Sequence, residues 1–218
     1  MSYTALGSLI AAVILFISFV FASIINYKNR FKLEYHLRSH FPYELNYHGK
    51  YKDNIYGNLI YAIYFIAVVV FLIFFDTSHN DGYLIFALIA GAISLISITA
   101  LIYIPIDQLR VHMITVALAF IFCTAFSFSI VLASYFKYKD GQSISALISI
   151  ILSSLITAFY VILILNPKLA HWADMDTEKK EDGTVVKVRP KWFVLAYSEW
   201  AMMILYLMSL VSLVVETI

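Results

Sequence analysis

Long apolar runs and shorter polar connections alternate along the chain. Six runs, approximately Ala5–Ile25, Ile55–Phe75, Tyr83–Ile104, Val111–Phe136, Ile144–Leu165 and Trp192–Val215, are long enough to cross a hydrocarbon core, which takes about 20 helical residues. A backbone in lipid has to satisfy its own hydrogen bonds, so each run predicts a helix. The pattern predicts an all-α integral membrane protein, a single six-transmembrane-helix bundle over residues 1–218. The first run lacks a basic segment before it and a small-residue cleavage pattern after it, and its apolar core is long. It reads as a retained first span, not a signal peptide.

Composition supports lipid as the solvent. The 218 residues are 62% hydrophobic and 13% charged, with a mean hydropathy of +0.84, against roughly 45–50% and about 25% in soluble domains. The net charge of +1 says nothing about nucleic acid, but no arginine-rich or aromatic-plus-basic module is present, so no nucleic-acid partner is expected. The single cysteine, Cys123, rules out an intrachain disulfide and any CxxC site.

The connections are unequal. Loop one, "NYKNRFKLEYHLRSHFPYELNYHGKYKDN", is polar and aromatic, and it reads as an interfacial re-entrant or amphipathic segment. Loop three is the short "PIDQLR", in which Pro105 ends the third span. Loop four reads "KYKDGQS". Loop five carries a turn signal at Asp182-Gly183 followed by the β-prone run Val185–Val188. Lys and Arg gather in the odd-numbered loops. Loop one has Lys28, Arg30, Lys32, Arg38, Lys50 and Lys52, loop three has Arg110, and loop five has Lys168, Lys179, Lys180, Lys187, Arg189 and Lys191. Only Lys137 and Lys139 lie elsewhere. The positive-inside rule places the odd loops in the cytoplasm and both termini outside. Basic loops of this kind also suit a protein partner or anionic lipid.

In span five Ser145, Ser149, Ser153 and Thr157 recur every four residues, one helix face of small hydroxylated side chains suited to close helix packing. Ala87 and Gly91 form a weaker pair of the same kind in span three.

Few residues could carry chemistry. Glu199 lies in "AYSEWAMMILYLMSLVSLVV", eight residues beyond Lys191, which is about 12 Å along a helix. A carboxylate at mid-span costs about 2.5–3.5 kcal/mol, so it is expected to face the bundle interior with a partner. The candidate partner is His112 at the head of span four, within a rim cluster that also holds Asp107 and Arg110. Trp200 beside the carboxylate is expected in apolar packing or against an acyl chain. Loop one adds His40, Pro42 and Glu44 as candidates. A metal reading of His36, His40 and His48 with Glu44 and Asp53, or of His171, Asp174 and Asp176 in loop five, lacks any recognised ligand pattern. The first group reads better as a lipid-interface segment and the second as a solvated acidic loop. No HExxH, GxSxG, P-loop or GxGxxG is present, so no metal and no cofactor are expected.

Three segments in order, "FPYELNYHGKYKDNIYGNLIYAIYF", "VHMITVALAFIFCTAFSFSIVLASY" and "VLAYSEWAMMILYLMSL", resemble the damage-regulated autophagy modulator (DRAM) type of six-span protein. That superfamily includes GPI-lipid remodelling factors and regulators of phosphoinositide and lipid asymmetry. The resemblance rests on His112 and Glu199-Trp200, with Gly57 and Pro42 as weaker matches, and loop one departs from it in being strongly basic. It implies a protein that binds or remodels membrane lipid, and it implies cytoplasmic termini, opposite to the charge reading. From the residues alone, a polar site at the odd-loop rim could bind a headgroup or assist proton transfer. A small-solute transporter, or its substrate-binding subunit, predicts a midplane pocket lined by broken helices. A scaffold or sensor predicts a closed bundle.

Overall fold

The computed structural model describes residues 2–46, 51–75, 82–141, 143–169, 174–180 and 183–217. Among them, six helices are long and apolar enough to cross a membrane: α1 (Tyr3–Phe31), α2 (Ile55–Phe74), α3 (Gly82–Tyr103), α4 (Leu109–Gly141), α5 (Ile144–Ile164) and α6 (Val194–Thr217). The fold is an all-α six-helix bundle. The one small sheet among the described residues is an antiparallel hairpin in loop five, β1 (Asp176–Lys179) with β2 (Val185–Val188), the latter being the β-prone run of the sequence.

Two helices outrun their apolar stretches. α1 continues through Lys28 and Arg30, whose charges suit the negative end of the helix dipole. It closes on Lys32, whose left-handed backbone (φ 57°) turns its N–H onto the Lys28 carbonyl. α4 runs to Gly141 and absorbs the Lys137–Asp140 stretch expected in loop four. Hydropathy marks where lipid ends, but helical backbone bonding persists into water when each added residue closes another bond.

The buried positions of α1 are Ala5, Leu9, Ala12, Phe16, Phe19, Ser23 and Tyr27, spaced by three or four residues. The opposite face carries Ile10, Ile14, Phe21 and Ile25, all more than half exposed. The lipid-facing side of α1 is thus as rich in large apolar side chains as its packed side, as expected where lipid is the solvent and packing, not hydrophobicity, selects the interface. Polarity is concentrated inside. Ser134 donates to Ser149 (2.8 Å), Ser149 donates to the Ser212 carbonyl (3.0 Å), and Ser127 meets Thr157 (2.9 Å). This seam joins α4, α5 and α6, so the serine face of α5 serves packing within the chain. Ser145 is the exception, pairing locally with Ser143 beside the helix cap. In α3 a Cβ on Gly91 would press on the Phe126 ring at 3.2 Å, and the Gly91 carbonyl accepts from Tyr206 (2.9 Å).

α6 is the central helix. Its apolar window is 67% buried, against 28% for α1 and 22% for α5. Both ends of loop one and the start of α6 meet at one end of the bundle, hereafter the odd-loop rim.

Candidate functional site

The buried acid finds its base. Glu199 Oε1 lies 2.9 Å from His112 Nε2, joining α6 to α4 across 87 residues of sequence, and both side chains have no exposed surface. His112 Nδ1 lies 2.8 Å from the Ile104 carbonyl. A carbonyl only accepts, so Nδ1 carries a hydrogen, and a single proton is left to lie between Nε2 and Oε1. The pair is therefore either a neutral imidazole with a carboxylic acid or an imidazolium with a carboxylate. In either form one proton is shared across the Nε2–Oε1 contact. The other carboxyl oxygen, Oε2, is buried and has no hydrogen-bond partner among the described residues, as is also true of the neighbouring Ser198 hydroxyl.

Helix α6 begins at Val194, two residues later than the hydropathy boundary. Glu199 therefore sits in its second turn, about 7.5 Å from the helix start, and closer to the rim than the mid-span position read from the sequence. What removes it from water is loop one. Phe41 and Tyr43 set their rings edge-on to His112, at 6.0 Å and 90° and at 5.7 Å and 79°. Phe41, Tyr43 and Leu45 are buried, each contributing about 1.5–3 kcal/mol relative to exposure to water. Asn46 anchors the far side by donating to the Ile102 carbonyl of α3 (3.1 Å). Loop one is thus a folded cap, with a 3-10 helix over Pro42–Asn46 that starts at the buried Pro42, and not an amphipathic strip lying on the membrane.

A clasp from loop five holds this cap. Glu44 accepts from the Phe41 N–H (2.6 Å) and from both terminal nitrogens of Arg189 (2.9 and 2.7 Å). Arg189 also donates to the Ser39 carbonyl (3.1 Å), and the Phe193 N–H donates to the Arg38 carbonyl (2.9 Å). Trp200 Nε1 donates to the His40 carbonyl (3.0 Å), and Tyr35 donates to that of Phe41 (2.7 Å). Burial, reinforced by the Glu44 carboxylate, pushes the phenols of Tyr35 and Tyr43 well up. Partial burial pulls the His40 imidazole down, against the opposing field of Glu44.

Other expected members of the site separate. Asp107 and Arg110 are exposed at the rim, whereas His112 is fully buried with Glu199, so neither joins the enclosed pair. The reason is helical phase: Arg110 and His112 are two residues apart and point to different sides of α4. Glu44 is taken by Arg189, and Asp53 forms an ion pair with Arg30, so neither carboxylate of the metal reading is placed as a ligand. His36 and His40 stand 6.1 Å apart, ring to ring, in a turn and not on one helix face. His48 and His171 lie outside the described residues, and among those described no group of three potential ligands gathers. Gly57 is explained by packing. A Cβ there would collide with Ser23 Oγ and the Asn54 amide, which themselves hydrogen bond at 2.8 Å to tie α1 to the end of loop one.

Two features escaped the sequence. Arg189 is separated from Glu44 by 145 residues, and nothing local distinguishes it from the other basic residues of loop five. The second is an apolar groove of about 520 Å³ along the flank of the bundle. Val13, Phe16 and Val20 of α1, Ile156 of α5 and Ile204 and Met208 of α6 line it, and Leu37 and Trp200 close it at the odd-loop rim. Ile17, Phe21, Ile204 and Met208 are about half exposed, so the groove opens sideways. Its α6 positions, Trp200, Ile204, Leu207, Met208 and Val211, follow helical spacing. On an all-apolar helix that spacing has no contrast to reveal it. Comparison of the chain with protein-family models, curated proteins and solved structures finds no match.

Proposed function

We propose that this multi-pass membrane protein binds a membrane lipid laterally, with an acyl chain in the α1/α5/α6 groove and the headgroup at the odd-loop rim. The observation that carries the reading is the groove itself. Its volume of about 520 Å³ falls in the roughly 300–1,000 Å³ range of ligand sites, and it opens toward where lipid tails lie. It ends against Trp200, which follows Glu199 in α6 and hydrogen bonds loop one. The buried pair then has a positioning role, because fixing α6 against α4 also fixes the groove wall that α6 supplies. The DRAM-type resemblance agrees with a lipid-directed role, and the thirteen basic residues of the odd loops favour a cytoplasmic rim. A solute transporter calls for interrupted helices, whereas α1 to α6 each run unbroken.

Native mass spectrometry of the purified full-length protein tests the reading. Wild type should retain about one lipid through detergent exchange, and Met208→Trp, which fills the groove from its half-exposed wall, should lose it while remaining monodisperse. Equal lipid retention by both proteins would overturn the proposal. Glu199→Gln, which keeps the shape and a hydrogen bond to His112 but cannot pass on a proton, should retain lipid and fold. If it also abolishes a lipid-modifying activity of the wild type, the pair has a catalytic role beyond positioning.

A further inference from the structure

A second recess adjoins the closed end of the groove. It measures about 480 Å³ and is lined by His36, Arg38, Ser39, His40, Arg189 and Lys191, with Pro190. The wall between the two is the segment Leu37–His40, pinned by the bond from Trp200 Nε1 to the His40 carbonyl (3.0 Å). Consecutive residues serve the two sides: Leu37 lines the apolar groove and Arg38 the polar recess.

The charges in the recess are not equivalent. Arg189 is engaged by the bidentate contact with Glu44. Arg38 and Lys191 are exposed, and among the described residues neither has an acidic partner. The Arg38 guanidinium stands over the Trp192 ring at 5.6 Å, and Trp192 is itself 67% exposed, as an interfacial anchor is. Two cations therefore face outward where the apolar groove stops, both on segments outside the membrane-spanning helices.

From this juxtaposition, and resting on the lipid reading above, we infer that the occupant is an anionic glycerophospholipid. Its acyl chain fills the groove, its glycerol crosses Leu37, and its phosphate sits between Arg38 and Lys191. A net-negative headgroup is preferred over a choline headgroup because the residues lining the recess include no acid for a quaternary ammonium, and the adjacent Glu44 is consumed by Arg189. Basic side chains beside an anionic lipid surface act additively, so two such contacts give roughly a tenfold or greater preference.

The test is lipid competition on the full-length protein, by native mass spectrometry. It uses phosphatidylglycerol and phosphatidylcholine of identical acyl chains, with glycerol 3-phosphate and inorganic phosphate as soluble probes. Wild type should retain phosphatidylglycerol at least about tenfold over phosphatidylcholine and should ignore both soluble anions. Arg38→Glu with Lys191→Glu should lower that ratio to about one while total lipid retention persists, and Arg38→Gln alone should give an intermediate ratio. Equal retention of the two lipids by wild type, or an unchanged ratio in the charge variants, would overturn this inference and leave lateral lipid binding standing. Soluble phosphate bound as tightly as lipid would also overturn it, marking a free-anion site. Loss of all lipid from wild type would sink the underlying reading instead.

Discussion

Helix α6 carries a carboxylate near each of its ends, and the two are treated differently. Glu216 pairs with Lys137 of α4 (3.6 Å), and Lys137 Nζ also donates to the Glu216 carbonyl; the lysine remains 35% exposed. Glu199 pairs with His112 and neither group is exposed at all. Both acids sit on the same helix and both choose a partner on α4. The difference lies in what covers them. At the Glu216 end a long flexible lysine brings its own charge to the membrane edge. At the Glu199 end the partner is short, and the cover is a folded connection, Phe41 to Asn46, locked by Arg189. An acid near a membrane edge is thus not in itself a site. Here the cap encloses it with His112.

The largest expected contrast comes from deleting each acid. Glu199→Ala leaves a buried imidazole without its partner and should cost about 3–5 kcal/mol, whereas Glu216→Ala leaves a lysine that is 35% exposed and still reaches water and the residue-216 carbonyl, and should cost about 1 kcal/mol. Thermal denaturation in detergent measures both, and comparable losses would remove the distinction between the two ends. Gly57→Val should come next. Its side chain has to push Ser23 and Asn54 apart where loop one returns to the bundle, at about 1–3 kcal/mol for overpacking, with a matching fall in melting temperature.

Opening the clasp is milder. Arg189→Ala should cost about 1 kcal/mol, because the pair is partly exposed. It should leave global melting nearly unchanged and raise protease cleavage and amide exchange in loop one. Arg189→Lys should open the cap almost as far, since an ammonium cannot make the two parallel bonds to Glu44. Unchanged exchange in both variants would show that Phe41, Tyr43 and Leu45 hold the cap without Arg189.

Acidification should give the smallest effect. Partial burial holds the folded-state His40 imidazole below its ordinary value of about 6.5, among Glu44, Arg189 and His36. The unfolded loop therefore takes up a proton first, and stability present above about pH 6.5 is lost as pH falls toward the lower folded value. Loop-one exchange, corrected for its intrinsic pH dependence, should rise between about pH 7.5 and 5.5 in wild type and stay flatter in His40→Gln.

Legibility differed between the bundle and its cap. The six spans were readable because apolar length is a local property, and α1 and α4 continue past their apolar runs because hydropathy reports lipid contact and not backbone bonding. Glu199 and His112 stood out against their apolar neighbours, and reasoning from membrane side alone paired them. Asp107 and Arg110 were drawn into the same cluster because proximity in sequence does not reveal helical phase. Arg189 and the groove left no local trace. The first pairs with a residue 145 positions away, and the second is formed by positions as apolar as their neighbours.

The order of residues was enough to specify a six-span helical membrane protein with one acid buried within its last span. It was enough because a lipid solvent imposes length, helicity and a cost on charge residue by residue. Packing in three dimensions was needed to establish that loop one seals that acid, that Arg189 holds the seal, and that α1, α5 and α6 leave a groove ending at Trp200. These depend on which distant side chains share a space, and helices apolar on every face carry no mark of it along the chain.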